Sequence, residues 1–288
     1  MDEIRLYPSV APGSEGIELK EEVLEVVEDN GWRKTIAQHV LNPSLIPCLP
    51  QKPTGTCLMI IPGGGFQRQV ISKEGLDIGK WLNTLGITCF ILKHRMPGEG
   101  HENDLDVPLQ DSQRAIRVIR SLANTYGYDT QKIGVMGFSA GGHVAATLGT
   151  CYSKKVYNPV DEVDTLSSRP DFMGLIYPVV SMASYDSLKD NLPQHVRVKG
   201  DIIRAYPTDQ LVHSEVPPTF IAGADDDKVT PPESGINFYL ALRKAGLSSE
   251  LHLFKEGGHG FGLGKDRGNS AQWTSLFETW LKRQDFIL

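Results

Sequence analysis

Cysteine is scarce in this chain, and basic charge is outweighed by acidic: 288 residues carry four cysteines, 29 lysines and arginines, and 35 aspartates and glutamates, for a net charge of −6. Cys48, Cys57, Cys89 and Cys151 show no C-x-x-C spacing. That argues against a zinc site or a disulfide framework and leads us to expect reduced, mostly buried thiols. The acidic balance provides no global field to attract nucleic acid or anionic lipid. No stretch approaches the roughly 18 consecutive apolar residues of a membrane helix, and the opening MDEIRLYPSVAPGSEG carries acids where a secretory leader carries positive charge. A cytoplasmic protein with a small-molecule or neutral-polymer partner, no nucleic acid and no membrane is the expectation. Also missing are G-x-x-x-x-G-K-[ST], H-E-x-x-H and a complete calcium loop, NDLDVP lacking its glycine and distal glutamate. No metal site and no cofactor are therefore expected.

What is present is an ordinary globular composition, 40% hydrophobic and 22% charged, with no repeat or Pro/Gly/Ser-rich linker to mark a second domain. One domain over residues 1–288 is the default. The first fifth is β-like: VLEVVE and KTIAQHVL flank DNGW, whose Asn30-Gly31 pair is a hairpin signal. After residue 53 the pattern alternates. TCLMIIP, ITCFILKH, KIGVMGF, FMGLIYPVV, PTFIAGA and ELHLF predict strands. KEGLDIGKWLNTLG, PLQDSQRAIRVIRSLANTYG, AGGHVAATLG, ESGINFYLALRKAG and AQWTSLFETWLKR predict helices. Apolar strands without polar alternation, separated by amphipathic helices, imply an α/β fold with a mostly parallel sheet covered on both faces. Its chemistry belongs on loops at the carboxyl ends of the strands. Residues 181–216 break the rhythm and are expected to form a small cap or lid, or a solvated excursion with one or two short helices.

Four of those loops carry chemistry. Gly137-Phe138-Ser139-Ala140-Gly141 is a G-x-S-x-G between a predicted strand and a predicted helix. In that context the pattern holds a serine on a strained turn with its hydroxyl exposed. Without its flanking elements the same pentapeptide would be only a small-residue turn. A serine hydroxyl needs a general base and an oxyanion site. Of His39, His94, His101, His143, His195, His213, His252 and His259, only His259 sits in a glycine-flanked loop (EGGHGFG) after the last predicted strand. His143, one turn beyond Ser139, reads as a packing residue. The orienting carboxylate should follow PTFIAGA, where Asp225, Asp226 and Asp227 stand together. Counting back four from Pro231, as in D-x-x-V-P, selects Asp227, whereas counting to Val229 selects Asp226. Asp227 is preferred and Asp226 is its rival. IIPGGGF offers backbone N–H groups of Gly64 and Gly65, joined by that of Ala140, as the oxyanion site. Phe66 is the candidate for shaping an acyl pocket. Tyr152, Tyr157, Tyr185 and Tyr206 lie on segments that could reach the site, and each could equally fill a core.

With these residues assigned, the chain resembles α/β-hydrolase esterases of the bacterial acetylxylan esterase, or carbohydrate-esterase, group. The resemblance runs through LYPSVAPGSEG, PGGGF, HRMPGEGHENDLDVPLQDSQRAIRVIRSLA, IGVMGFSAGGHVAATL, SSRPDFMGLIYPVVS, VPPTFIAGADDDKVTPPES and LHLFKEGGHGFGL. It implies an eight-stranded, mostly parallel sheet and hydrolysis of acetyl esters on sugars through Ser139, Asp227 and His259, with short acetylated xylo-oligosaccharides as the expected substrate. Two departures stand out. Pro62 occupies the place before the glycines where many related lipases and esterases have histidine, and the Asp loop runs DDDKVTP. An amidase, formamidase or peptidase-like acyl hydrolase would use the same constellation, and a degenerate binding module would be expected to lack a member of it. A homo-oligomer is compatible with the sequence, which declares no interface.

Overall fold

The computed structural model describes residues 2–27, 33–181, 195–264 and 267–288. Among the described residues, eleven strands form two sheets. The larger has eight strands in the order β1 (Ile4–Arg5), β4 (Ser44–Cys48), β7 (Thr88–Lys93), β5 (Cys57–Ile61), β8 (Ile133–Phe138), β9 (Met173–Ile176), β10 (Thr219–Ala224) and β11 (Ser249–Phe254). β1 and β4 are antiparallel to their neighbours, and every pair from β7 to β11 is parallel. Pro47 fits within β4 because β1 pairs only with Ser44 and Leu45, so its missing N–H can face an unpaired edge.

Successive residues of the central strands point to opposite faces. Met59 and Ile61 pack in one core with Ile116, Ile119 and Val144, whereas Leu58 and Ile60 pack in the other with Ile78, Leu82, Phe277 and Trp280. This two-sided burial is why these strands read as continuous apolar runs. Helices α2 (Val107–Ser121), α3 (Ala123–Tyr126) and α4 (Ala140–Cys151) contribute to the first core, and α1 (Asp77–Thr84) and the terminal helix Trp273–Arg283 to the second. The α1 pattern begins as a single π-helical turn over Ser72–Leu76.

The antiparallel hairpin belongs to a separate three-stranded sheet, β2 (Glu22–Val27), β3 (Arg33–Gln38) and β6 (Gln69–Val70). Its Asn30-Gly31 turn lies outside the described residues. In the 181–216 stretch, helix His195–Ala205 and a 3-10 turn at Thr208–Gln210 are present, while 182–194, including Tyr185, lie outside the described residues. All four cysteines are free thiols, Cys57 and Cys89 buried and the other two partly so. Among the described residues no helix is long and apolar enough to cross a membrane.

The chain leaves β5 toward β7 on one side and returns to β8 on the other. The order of strand addition therefore reverses between β5 and β8, which run parallel, and the crevice at their carboxyl ends is the usual ligand position in an open parallel sheet. The Pro62–Phe66 loop follows β5 and Ser139 follows β8.

Candidate active site

Ser139 joins β8 directly to α4, with φ 53° and ψ −119°. A left-handed φ on a residue with a side chain stores strain of about 1–3 kcal/mol. The neighbouring glycines make the turn possible. A Cβ on Gly137 would lie 2.2 Å from the Gly141 carbonyl oxygen, and one on Gly141 would lie 2.2 Å from that of Ile61. Backbone bonds pin the turn, Ser139 N–H donating to Ile176 O at 3.0 Å and Val179 N–H to Ser139 O at 3.2 Å.

Ser139 Oγ lies 2.9 Å from His259 Nε2, and His259 Nδ1 lies 2.8 Å from Asp227 Oδ2. An ionised carboxylate only accepts, so the Asp227 contact places the ring proton on Nδ1 and leaves Nε2 free to accept from the serine hydroxyl. Asp227 Oδ1 is occupied by the N–H groups of Val229 (2.8 Å) and Thr230 (2.9 Å), which fix the carboxylate's orientation. Its side chain is 2% exposed and that of His259 is 19% exposed, so the imidazole reaches solvent and the carboxylate does not.

The other two acids have different tasks. Asp226 Oδ1 accepts the Gly258 N–H at 2.7 Å, anchoring the histidine loop by its backbone. Asp225 faces solvent with Lys255 at 3.2 Å. The remaining histidines with described side chains are engaged elsewhere: His39 with Glu99, His252 with Glu250, His94 with Arg95 O, His101 with Ser14 and His213 with Thr150 O. The side chain of His195 falls outside those described. His143 is buried and bonds through Nε2 to Tyr206 O at 3.0 Å, and burial pushes its pKa down to about 4. It is a packing residue that ties the 195–206 segment to α4.

After β5, Gly64 (φ 145°), Gly65 (φ 68°) and Phe66 (φ 59°) curl the loop back on itself. A Cβ on Gly64 would sit 2.0 Å from Arg68 O. The loop closes through Val70 N–H to Gly63 O at 2.9 Å. Among the described residues, no protein acceptor takes the N–H of Gly64, Gly65 or Ala140. Phe66 is 4% exposed and packs edge-on against His143, ring centres 5.5 Å apart. Of the other aromatic candidates, Tyr206 is buried, Tyr152 donates to Glu215, and Tyr157 donates to Asp164 and accepts from Arg117.

Sequence reasoning passed over Glu74 and Tyr177. Glu74 is 5% exposed; its Oε2 accepts Gly63 N–H at 2.8 Å and its Oε1 the Tyr177 hydroxyl at 2.9 Å. Burial pushes its carboxyl up, opposed by these two hydrogen bonds. Tyr177, at φ 39°, accepts Gly262 N–H at 3.2 Å, and its ring centre is 5.2 Å from that of His259. The only local hint was a tyrosine ending an apolar strand just before a proline.

A doubly covered, mostly parallel sheet with a glycine-flanked serine after one strand, an acid after a later one and a histidine after the last is the α/β-hydrolase fold. The chain belongs to the BD-FAE family, whose model matches residues 47–242. It is 32% identical over 246 residues to an acetylxylan esterase of Xylanibacter ruminicola, covering 83% of this chain and 45% of that protein. It is 31% identical over 223 residues to endo-1,4-beta-xylanase B of Butyrivibrio fibrisolvens, covering 73% and 33%. The chain thus spans less than half the length of these two curated relatives. It is also similar to the crystal structure of an acetyl ester-xyloside bifunctional hydrolase from Caldicellulosiruptor lactoaceticus, with a TM-score of 0.77, 31% identity, and coverage of 100% of this chain and 97% of that one.

Proposed function

We propose that this protein is a serine carboxylic ester hydrolase that removes short acyl groups, acetyl above all, from xylo-oligosaccharides or other acetylated sugars. The observation that carries the reading is the hydrogen-bonded chain from Ser139 Oγ through His259 to Asp227, at 2.9 and 2.8 Å, at the carboxyl edge of the sheet. The likeness to an acetylxylan esterase and to an acetyl ester-xyloside hydrolase supports the substrate class.

In this mechanism Ser139 Oγ attacks the acyl carbonyl carbon as its proton passes to His259 Nε2, and Asp227 stabilises the resulting imidazolium. The negative oxygen is received by the N–H groups of Gly64, Gly65 and Ala140, each such donor being worth about 10²- to 10³-fold in rate. His259 returns the proton to the departing sugar oxygen as the carbonyl–oxygen bond breaks. Water, deprotonated by His259, then releases the acid from Ser139. Phe66 would bound the acyl side of the site. Residues 1–288 are taken as one domain and 181–216 as its cap, a reading favoured by the Tyr206 carbonyl seated on His143.

The test is hydrolysis of p-nitrophenyl acetate, butyrate and octanoate by the wild type and Ser139→Ala, with acetate release from acetylated xylo-oligosaccharide measured alongside. We expect a preference for acetate, release from the sugar, and loss of both in the variant. Ester hydrolysis without release from any acetylated sugar overturns the carbohydrate assignment. No hydrolysis of any ester by folded wild type overturns the esterase assignment.

A further inference from the structure

We propose that Glu74 is a positioning residue that locks the oxyanion loop and the histidine loop into a single unit. The inference rests on the serine hydrolase reading above. Glu74 lies on the π-helical turn Ser72–Leu76, outside the loops that carry the constellation, yet its carboxyl bonds directly to the oxyanion loop and reaches the histidine loop through Tyr177. One oxygen holds Gly63 N–H at 2.8 Å, immediately before Gly64 and Gly65. The other holds the Tyr177 hydroxyl at 2.9 Å, and that hydroxyl accepts Gly262 N–H at 3.2 Å, three residues past His259. The Tyr177 ring also packs edge-on to His259, centre to centre 5.2 Å.

The space around Gly63 leaves this arrangement little play. A Cβ there would lie 2.6 Å from Phe138 O, 2.8 Å from Glu74 Oε2 and 2.9 Å from Ser139 Cβ, so the loop is wedged between the nucleophile turn and the carboxyl. Burying a carboxyl is expensive unless its oxygens find donors, and both oxygens of Glu74 do. What a carboxylate alone supplies is two acceptors in one rigid plane, serving a backbone donor on one side and a phenol on the other. Both are fixed relative to Ser139, whose own backbone is held by Ile176, the residue before Tyr177. Glutamine at this place would accept from Gly63 but present an N–H₂ toward Tyr177, leaving the phenol proton without its acceptor. Displacing reacting groups by about 1 Å costs on the order of 10²-fold in rate. Loss of Glu74 should therefore act on turnover and leave ground-state binding in place.

The experiment is the rate of labelling of the full chain by diisopropyl fluorophosphate, for wild type, Glu74→Gln, Tyr177→Phe and the double variant. Kinetics on p-nitrophenyl acetate and thermal unfolding are recorded for each. In the labelling step an O–P bond forms at Ser139, the P–F bond breaks, fluoride departs with the bonding pair and the hydroxyl proton passes to His259. The phosphoryl oxygen occupies the oxyanion site, so the rate senses both loops without reference to the natural substrate. We expect each single variant to label at least about 10-fold slower, with kcat lowered to match and KM within about twofold. The double variant should be no more than about twofold slower than the worse single one, as befits groups acting as one unit. Labelling of either folded single variant within twofold of wild type, or effects that multiply in the double variant, overturns the proposal. Tyr177→Phe retains the ring against His259 and decides the matter if Glu74→Gln does not fold. Wild type that hydrolyses esters and is labelled, with variants that behave like it, sinks the positioning role alone. Wild type that neither hydrolyses esters nor labels at Ser139 overturns the hydrolase reading and this inference with it.

Discussion

Asp226 and Asp227 are adjacent in the chain but hold different parts of the same loop: Asp226 takes the Gly258 N–H at 2.7 Å, and Asp227 takes His259 Nδ1 at 2.8 Å. One fixes the backbone that carries the histidine, and the other fixes the ring and its tautomer. If the proposed mechanism holds, the two acids should separate cleanly in kinetics. Asp227→Asn puts an amide opposite Nδ1, favours the wrong tautomer, and is expected to lower kcat on p-nitrophenyl acetate by about 10⁴-fold. Asp226→Asn keeps an oxygen to accept from Gly258 and should cost less than about 10-fold. Equal losses in the two would mean that Asp226 shares the ring's charge as well as the loop.

The nucleophile turn has no room for a methyl group. Gly141→Ala would drive its Cβ to 2.2 Å from Ile61 O and 2.6 Å from Pro62 O, both backbone atoms of the strand end that leads into the glycine loop. Neither can give way without moving β5, so the expected destabilisation is about 4 kcal/mol or more, with no soluble protein at the extreme. Gly235→Ala is the control, because its Cβ would meet only side-chain methyls, Ile221 Cγ2 at 3.3 Å and Leu251 Cδ1 at 3.9 Å. Urea unfolding of the two variants should differ by several kcal/mol.

Arg95 and Asp111 form an ion pair at 2.7 Å with both side chains fully shielded from solvent. Arg95 also donates to Pro12 O and Ser14 Oγ, so it fastens the N-terminal segment to the end of β7. Removing one partner leaves the other as an unpaired buried charge. Arg95→Met is expected to cost about 3–5 kcal/mol in urea unfolding. A loss under about 1 kcal/mol would mean that water reaches Asp111 once the guanidinium is gone.

Much of this architecture was legible because local pattern and global fold agree. Leu58 to Ile61 are apolar in succession because they alternate between two cores, and that pattern already implied a covered parallel sheet. Ser139 and His259 were legible because each occupies a glycine-flanked turn whose backbone needs are written in the neighbouring residues. Spacing to Pro231 preferred Asp227 but left Asp226 as a rival, since counting to Val229 selects the other acid and only the side-chain directions separate them. Glu74 was invisible for a different reason. A glutamate near the start of a helical pattern reads as solvated, and its burial arises from Gly63 and from Tyr177, 103 residues away. The segment around Asn30-Gly31 gave a correct antiparallel pair but no hint that Gln69–Val70 would add a third strand.

His143 provides a pH-dependent element of stability that is separable from catalysis. Burial excludes charge from its ring and sets its folded pKa at about 4, against about 6.5 for an unfolded histidine. Between these values the unfolded chain binds a proton that the folded chain refuses, so stability falls as pH falls from about 7 to about 4 and is flat below that. The total is about 3 kcal/mol, from 1.4 kcal/mol per pH unit over that interval. His143→Gln keeps a side-chain donor for Tyr206 O and cannot titrate. Urea unfolding of wild type and variant at pH 7 and pH 4 should therefore show the wild type losing about 3 kcal/mol more than the variant. Parallel losses in the two proteins would mean that the ring is hydrated, or reoriented toward solvent, before it protonates. The contact between α4 and the 195–206 segment would then be looser than the 3.0 Å bond from His143 to Tyr206 O implies.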